Sequence, residues 1–532
     1  MNNVSKKKQS YSVGEYVKNI LLVILFVSVI VLSGMYIVTL NRSGTISRDT
    51  ARDDITFEKL WTVQDGAMSE NTLSQIVTPR FMGFKTAIQN DPAGVSAGEK
   101  YINELYKKTG VYLYYALSAA AVTEKIPDAE EEVFWLSLIH SDNYIYIRYH
   151  SPIPHQLIQA SGGDLSGLGY GEYNRAEGHI VYVKDLFILP VTETDGESSE
   201  ESTSLTCRIA VRADDDSVYV FTPPASADDS GANPYPGIDA SLDEVTKLLV
   251  DAYGEGMQKY HFAYSNGDDR ALYADKTEVV TDAGIPLKTI RADAKTAGKY
   301  IYSRPGDFEQ IVRIFNFNPD KINTYSEANN TNIYVETHGS LKIAEDRLSY
   351  TARNGVGIPL SDFIGYSHSG SEGDVYDIVR AAQIFIEKIG AINVNYIGRD
   401  ADLCISGVYG RDNKIVIKYS YFCDNVMLVP DGNEYALAIE SDGINITSID
   451  LFTLSAEVLS ADESSNISAD TMLSYTQKWA AKKHLSDREE SQADTVVRVS
   501  DMRLVYHVTA SDENDENIIP NWSISIQSPD TE

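Results

Sequence analysis

The chain has 532 residues, 43% of them hydrophobic, and a formal charge of −32 at neutral pH. That length holds several folded domains of roughly 100–200 residues each, and the apolar fraction is enough to give them cores. An acidic surface with no basic stripe to offset it argues against nucleic acid and anionic lipid as partners, because polyanions are held by clustered cations.

Residues 1–19 are a short tail in which Lys6, Lys7, Lys8 and Lys18 are opposed only by Glu15. Ile20–Leu40 follows with no charged residue. At ~1.5 Å per residue it reaches about 31 Å as a helix, which matches a hydrocarbon core of roughly 30 Å. A lone segment crossing lipid must satisfy its own backbone, so helix is the expected form. Neither a small-residue cleavage site nor a lipobox cysteine follows before Asn41 and Arg42, so the span reads as an uncleaved anchor. The lysine excess places residues 1–19 in the cytoplasm and the rest outside the cell membrane, in a single pass. Residues 1–42 carry a net positive charge, which makes the body more acidic than the whole. Within the span, Ser28, Ser33, Gly34 and Thr39 are the small or hydroxylic positions at which a partner helix could approach, although they form no single clean face.

Residues 41–54 read as a polar spacer, and residues 55–295 as a first α+β domain. In it the spacing of Tyr101, Ile102, Leu105 and Tyr106 predicts a helix over 97–108 that stops at Gly110. β-branched and aromatic runs predict strands at 111–117, 133–139, 144–149, 179–183 and 187–191. The serine-rich acidic stretch 192–204 and the stretch 223–236 read as loops. Ser241 and Glu244 make a capping box for a helix that begins there.

Residues 300–395 read as a middle α+β domain. A helix capped by Asp307 turns Phe308, Ile311, Val312 and Phe315 to one face. A short helix near 319–325 and strands at 333–336, 341–344 and 347–351 follow. A long amphipathic helix over 374–389 faces Val375, Ile378, Val379, Ala382, Phe385, Ile386 and Ile389 inward and stops at Gly390. Residues 396–528 read as a β-rich C-terminal domain with strands at 403–408, 414–422, 435–441, 443–453, 503–510 and 518–524, and a helix near 470–482. The expected fold class is therefore α+β, a single N-terminal transmembrane helix followed by a multidomain extracytoplasmic body of mainly antiparallel sheets with packed helices.

Motifs that carry chemistry are missing. The nine histidines are scattered, and neither H-E-x-x-H nor C-x-x-C occurs. His150 and His155 form the nearest thing to a pair, and read as two exposed loop histidines with no third ligand at useful spacing. No nucleophile elbow is assigned. Gly162–Gly171 lacks the lysine of a phosphate loop and reads as a glycine-rich surface loop. Asp228-Asp229 and Asp512–Glu516 have the composition but not the spacing of calcium loops. Three cysteines allow at most one disulfide, between Cys404 and Cys423 on neighbouring strands, with buried free thiols the favoured reading. So few cysteines in a large body outside the cell point to a bacterium with a single membrane. No catalytic, cofactor-binding or metal-ligating residue is assigned.

The segment Phe317–Ser349, with its aromatic-Asn-Pro turn leading into an extended strand and hairpin, resembles a segment of the YycH/YycI regulators. Gly407–Met427, Tyr435–Thr453 and Arg503–Ile526, ending near Pro520-Asn521-Trp522, are similar to the C-terminal module of that family and to the domain found in protease propeptides. The resemblance covers about residues 300–525 and the anchor. It implies a non-enzymatic regulator in two-component signalling of cell-wall homeostasis. Its partners would be a WalK-type sensor histidine kinase and a sister single-pass protein, reached partly through the membrane helix. Two other readings stay open from residues alone: an extracytoplasmic wall-active hydrolase using a carboxylate pair, and a wall-polymer or peptide-binding module using an exposed strand edge or a tyrosine-lined groove.

Overall fold

The computed structural model describes residues 76–88, 91–96, 101–117, 122–162, 180–190, 207–222, 242–254, 257–262, 279–281, 287–293, 301, 305–327, 331–353, 355–364, 375–392, 401–411, 414–423, 426–430, 435–462, 498–508, 517–518 and 520–527. The described residues fall within one compact unit, 68–532. The expected anchor Ile20–Leu40, with Ser28, Ser33, Gly34 and Thr39, lies outside the described residues, as do the loops 192–204 and 223–236 and the helix expected near 470–482. Among the described residues no helix is long and apolar enough to cross a membrane. The fold is mixed α+β, with mostly antiparallel sheets and few helices among the described residues.

The first sheet has nine strands: β1 (Pro79–Lys85), β2 (Ala93–Ser96), β3 (Val122–Lys125), β4 (Tyr144–Pro154), β5 (Tyr182–Pro190), β6 (Cys207–Ala213), β7 (Val218–Thr222), β8 (Gln258–Phe262) and β9 (Val279–Thr281). Their spatial order is 3-7-6-5-4-1-2-8-9. Both faces are apolar. Ile145 and Ile147 of β4 and Leu186 and Ile188 of β5 share a core with helices α1 (Ile102–Ala116) and α3 (His155–Gly162). The alternate positions, Tyr144, Tyr146, Phe187 and Leu189, share an aromatic core with Trp135, Leu138 and Ile139 of α2 (Glu131–Ile139). This is the period-two alternation of a strand buried on both sides. Helix α4 (Leu242–Tyr253) buries Leu242, Thr246 and Leu249.

Two of these helices correct the sequence reading. The run expected as a strand at 111–117 continues α1, and Gly110 does not stop it. A Cβ at Gly110 would lie 3.0 Å from Gly162 Cα, so the glycine is a notch where α1 and α3 cross closely. The run expected as a strand at 133–139 is α2: Glu131 and Glu132 occupy its first turn, where acids suit the helix dipole, and Trp135, Leu138 and Ile139 are buried at helical spacing. The strands expected at 179–183 and 187–191 are one strand, β5.

A three-stranded sheet joins β10 (Leu287–Asp293) to β21 (Ser455–Asp462) on one side and β23 (Asn517–Ile518) on the other. The largest sheet has twelve strands, running β11 (Asn323–Ser326), β12 (Asn332–Val335), β13 (Gly339–Ile343), β14 (Arg347–Ala352), β20 (Asn445–Phe452), β19 (Leu437–Ser441), β17 (Lys414–Cys423), β18 (Val426–Pro430), β22 (Arg498–Val508) and β24 (Asn521–Gln527). β15 (Ile358–Pro359) adds to β20 and β16 (Asp402–Arg411) to β17. Pairing of β14 with β20 carries this sheet across residue 395, and pairing of β10 with β21 links residues before 295 to the C-terminal part.

Helix α5 (Pro305–Ile314), the short α6 (Ser361–Ile364) and α7 (Val375–Ile392) pack with this sheet. All the positions of α7 expected to face inward are buried, and the helix runs past Gly390 to Ile392. Asp307 lies inside the first turn of α5 rather than capping it. At the other end Asn316, with φ 61°, lets Phe317 N reach Val312 O at 3.0 Å, the six-to-one bond of a Schellman stop. The short helix expected near 319–325 is replaced by a turn, in which Asn318 Oδ1 accepts from Asp320 N, and by strand β11. Asn318 and Asn323 favour the turn over a helix interior because their side chains compete for backbone bonds.

Aromatic rings fill the space that sheet glycines leave. Gly83 and Gly94 stand opposite each other on β1 and β2. Tyr260 packs over the first and Phe81 over the second, and their rings meet edge to face at 4.9 Å.

Candidate functional site

The most concentrated polar constellation among the described residues is a row across three strands of the first sheet. Register sets Arg148 of β4 beside Asp185 of β5, and Asp185 beside Arg212 of β6. Asp185 is fully buried, and both arginines are nearly so. Arg212 Nε donates to Asp185 Oδ1 at 3.1 Å, and its terminal nitrogen Nη2 pairs with Oδ2. Tyr146 Oη donates to Oδ2 at 3.2 Å, and Arg148 Nη1 lies 3.8 Å from the same oxygen. The Arg212 guanidinium also sits 5.3 Å from the centre of the Trp135 ring.

Chemically, this carboxylate is an acceptor whose oxygens are already engaged. A fork-on-fork guanidinium contact fixes geometry well, and it leaves little of this carboxylate open to another partner. The row looks built to hold strands together. Around it the tyrosine hydroxyls form short chains, with Tyr260 Oη donating to Tyr144 Oη at 3.1 Å. On the opposite face of the sheet Tyr106 Oη pairs with Ser161 Oγ at 2.9 Å. Burial pushes the Tyr106 and Tyr144 hydroxyls up to about 12, because the phenolate would lose its water.

A second constellation lies on the face of the large sheet away from α7. Asp450 on β20 accepts from Ser349 Oγ at 2.6 Å and from Tyr435 Oη at 3.0 Å, with Arg347 Nη1 3.6 Å away. Lys418 on β17 stands 5.4 Å from the Tyr409 ring centre and 5.0 Å from that of Tyr435. Lys414 pairs with Glu440, which Thr447 Oγ1 also approaches at 3.3 Å. These side chains are partly exposed, and mixed cationic, acidic and aromatic groups on a flat face suit recognition better than bond-breaking.

Of the residues singled out from sequence, Ser28, Ser33, Gly34 and Thr39 lie outside the described residues, as do Asp228-Asp229 and Asp512–Glu516. The histidine pair is not two exposed loop residues. His155 begins α3, is 8% exposed, and its Nδ1 accepts Val181 N at 3.2 Å; His150 is half-buried against Phe422 at 4.7 Å. The expected loop around them is absent because β4 runs through residue 150 straight into α3. Among the described residues no group of three or more histidine, cysteine or acidic side chains is placed to hold a metal. All three cysteines are free and buried. Cys404 stands opposite Ser420, three residues from Cys423, so the two thiols point to opposite faces of the β16–β17 ladder and cannot bridge.

The arginine–aspartate row was missed from sequence. Its signal is a charge inside each of three apolar strands (YIYIRYH, YVKDLFILP and CRIAVRA), which becomes informative only once their register is known. Comparison with protein-family models, with characterised proteins and with solved structures returns no match. The YycH/YycI resemblance therefore rests on the segments quoted above.

Proposed function

We propose that the chain is a non-enzymatic, single-pass membrane protein whose extracytoplasmic body regulates a sensor histidine kinase in two-component signalling of cell-wall homeostasis. The observation that carries the membrane half is the uncharged span Ile20–Leu40 behind a lysine-rich tail. The signalling half rests on the resemblance of residues 317–349 and 407–526 to YycH/YycI regulators. On this reading the anchor helix, with Ser28, Ser33, Gly34 and Thr39, meets partner helices in the membrane, and the body serves as an assembly or sensing platform.

The test is crosslinking and affinity capture of the full-length protein from membranes, beside a version whose residues 20–40 are replaced by polyleucine. Capture of a sensor kinase or sister single-pass protein by the native anchor, and its loss on replacement, is the expected result. Equal capture by both moves the contact to the body. Capture of no signalling protein by either refutes the proposal.

A further inference from the structure

We propose that the free edge of the twelve-stranded sheet pairs with the same edge of a second copy of this chain, strand β11 against β11 across a two-fold axis. Among the described residues β11 ends the sheet, and all four of its residues are exposed, Tyr325 by 58%. Its pairing with β12 is regular, without a bulge. Natural edges are commonly blunted by lysine, proline or a bulge, and Asn323-Thr324-Tyr325-Ser326 contains none of these.

Backbone geometry narrows the register. Glu327 N donates to Thr331 O at 2.8 Å, which makes 327 and 331 a hydrogen-bonded pair. Bonded pairs alternate along an antiparallel ladder. Tyr325 and Asn323 therefore also bond inward to β12, while Thr324 and Ser326 turn their N–H and C=O outward. An added antiparallel strand must bond to those outward positions, so the sum of paired residue numbers must be even.

The register with Thr324 on the axis pairs residue 322 with 326, Asn323 with Tyr325 and Lys321 with Glu327, each twice. It therefore sets opposite charges face to face at both ends of an uncharged strand. Glu327 already holds Lys342 at 3.1 Å, and Lys321 of the second copy would complete a lysine–glutamate–lysine row. Four paired residues bury far less than the roughly 1,200 Å² at the lower end of stable interfaces. The pairing thus depends on confinement in a membrane, which raises effective concentration, and to that extent it rests on the anchor reading above.

The three native cysteines are buried, which leaves a clean background for engineered thiols. Full-length Asn323→Cys and Tyr325→Cys chains with different tags are co-expressed, and their membranes are oxidised with copper–phenanthroline. These positions form a non-bonded pair with Cα atoms about 4.5 Å apart. The expected result is a mixed-tag disulfide dimer several-fold more abundant than either variant gives alone, or than Tyr409→Cys gives on another exposed strand. Lys321→Glu should reduce it, and a mixture of Lys321→Glu with Glu327→Lys chains should restore it. Equal crosslinking at all positions, or crosslinking only to another protein, overturns the proposal. Recovery in the membrane fraction is scored separately, so a failed anchor and a failed edge pairing are read apart.

Discussion

Asp185→Asn is the sharpest test of what holds the first sheet. The substitution preserves shape and leaves Oδ1 able to accept Arg212 Nε. It places an amide N–H₂ where Oδ2 now accepts from Arg212 and Tyr146 and faces Arg148, so donors confront donors. Asp185 is fully buried, so water cannot easily repair the mismatch. Removing one partner of a buried ion pair typically costs about 3–5 kcal/mol. With a urea slope of ~3 kcal/mol per molar, a loss of about 4 kcal/mol lowers the midpoint by roughly 1.3 M.

Trp135 lies over Arg212, so tryptophan fluorescence reports on this part of the sheet during urea unfolding of the full-length protein in detergent. A variant whose midpoint stays within about 0.2 M of the parent would refute the reasoning, since the loss would then be well under 1 kcal/mol. The triple change Arg148→Met, Asp185→Leu, Arg212→Met removes every charge of the row together. It should return to within about 1–2 kcal/mol of the parent, because no charge is left without its counterpart.

Alkaline titration probes the tyrosines. Burial raises Tyr106, Tyr144, Tyr149, Tyr260, Tyr419 and Tyr421 in the folded state above their unfolded value near 10. Their contribution is therefore whole below pH 10 and is lost as pH climbs toward the folded values. Each costs about 1.4 kcal/mol per pH unit, so six together exhaust a stability of roughly 5–15 kcal/mol within one to two units. Near-ultraviolet tyrosinate absorbance and far-ultraviolet circular dichroism should change together, and free titration of most tyrosines at pH 10 with the dichroism unchanged would contradict this. Gly83→Ala drives a methyl into Tyr260 Oη, and Gly339→Ala drives one into the Tyr350 ring; each should cost about 1–3 kcal/mol in urea unfolding, and neutral behaviour in both would refute the packing argument. Burial also raises the Cys207 and Cys404 thiols, Cys404 to about 12, and Cys423 is buried as well, with none of the three in a disulfide. Ellman's reagent should therefore find no reactive thiol in the native protein and three after denaturation, and rapid native labelling would show the cores to be open.

Much of the large sheet was legible because its strands alternate and its long helix is amphipathic. The positions of α7 expected inward are buried, the strand at 414–422 is nearly whole, and that at 403–408 is the middle of the longer β16. The misreadings cluster where local pattern is ambiguous. VFWLSLI in α2 is apolar at nearly every position, so period alone could not separate strand from helix; the glutamates before it carried the better signal. Gly110 resembled a stop because only the fold reveals that α3 crosses there. Lys184-Asp185 divided β5 into two expected strands because an acid amid apolar residues reads as a break until arginines on both neighbouring strands are known.

That last misreading bears on how the sheet finds its register. A sheet with one polar face is aligned by hydrophobic alternation, since a one-residue slip exposes the core. β4, β5 and β6 are apolar on both faces, so alternation specifies their alignment weakly. The charges supply what the pattern lacks. If β5 slid by two residues, Asp185 would leave an arginine and come opposite Tyr146 on β4 or Ala210 on β6, at a cost of several kcal/mol for a buried carboxylate without its counterpart. Bulges beside Arg148 on β4 and between Val183 and Asp185 on β5 adjust the ladder next to the row and keep the three charges in line. On this argument the row's contribution is specificity of pairing more than net stability. The all-apolar triple variant should therefore fold with near-parental stability yet show slower or heterogeneous refolding, and clean refolding at the parental rate would show that turns and bulges align the strands without it.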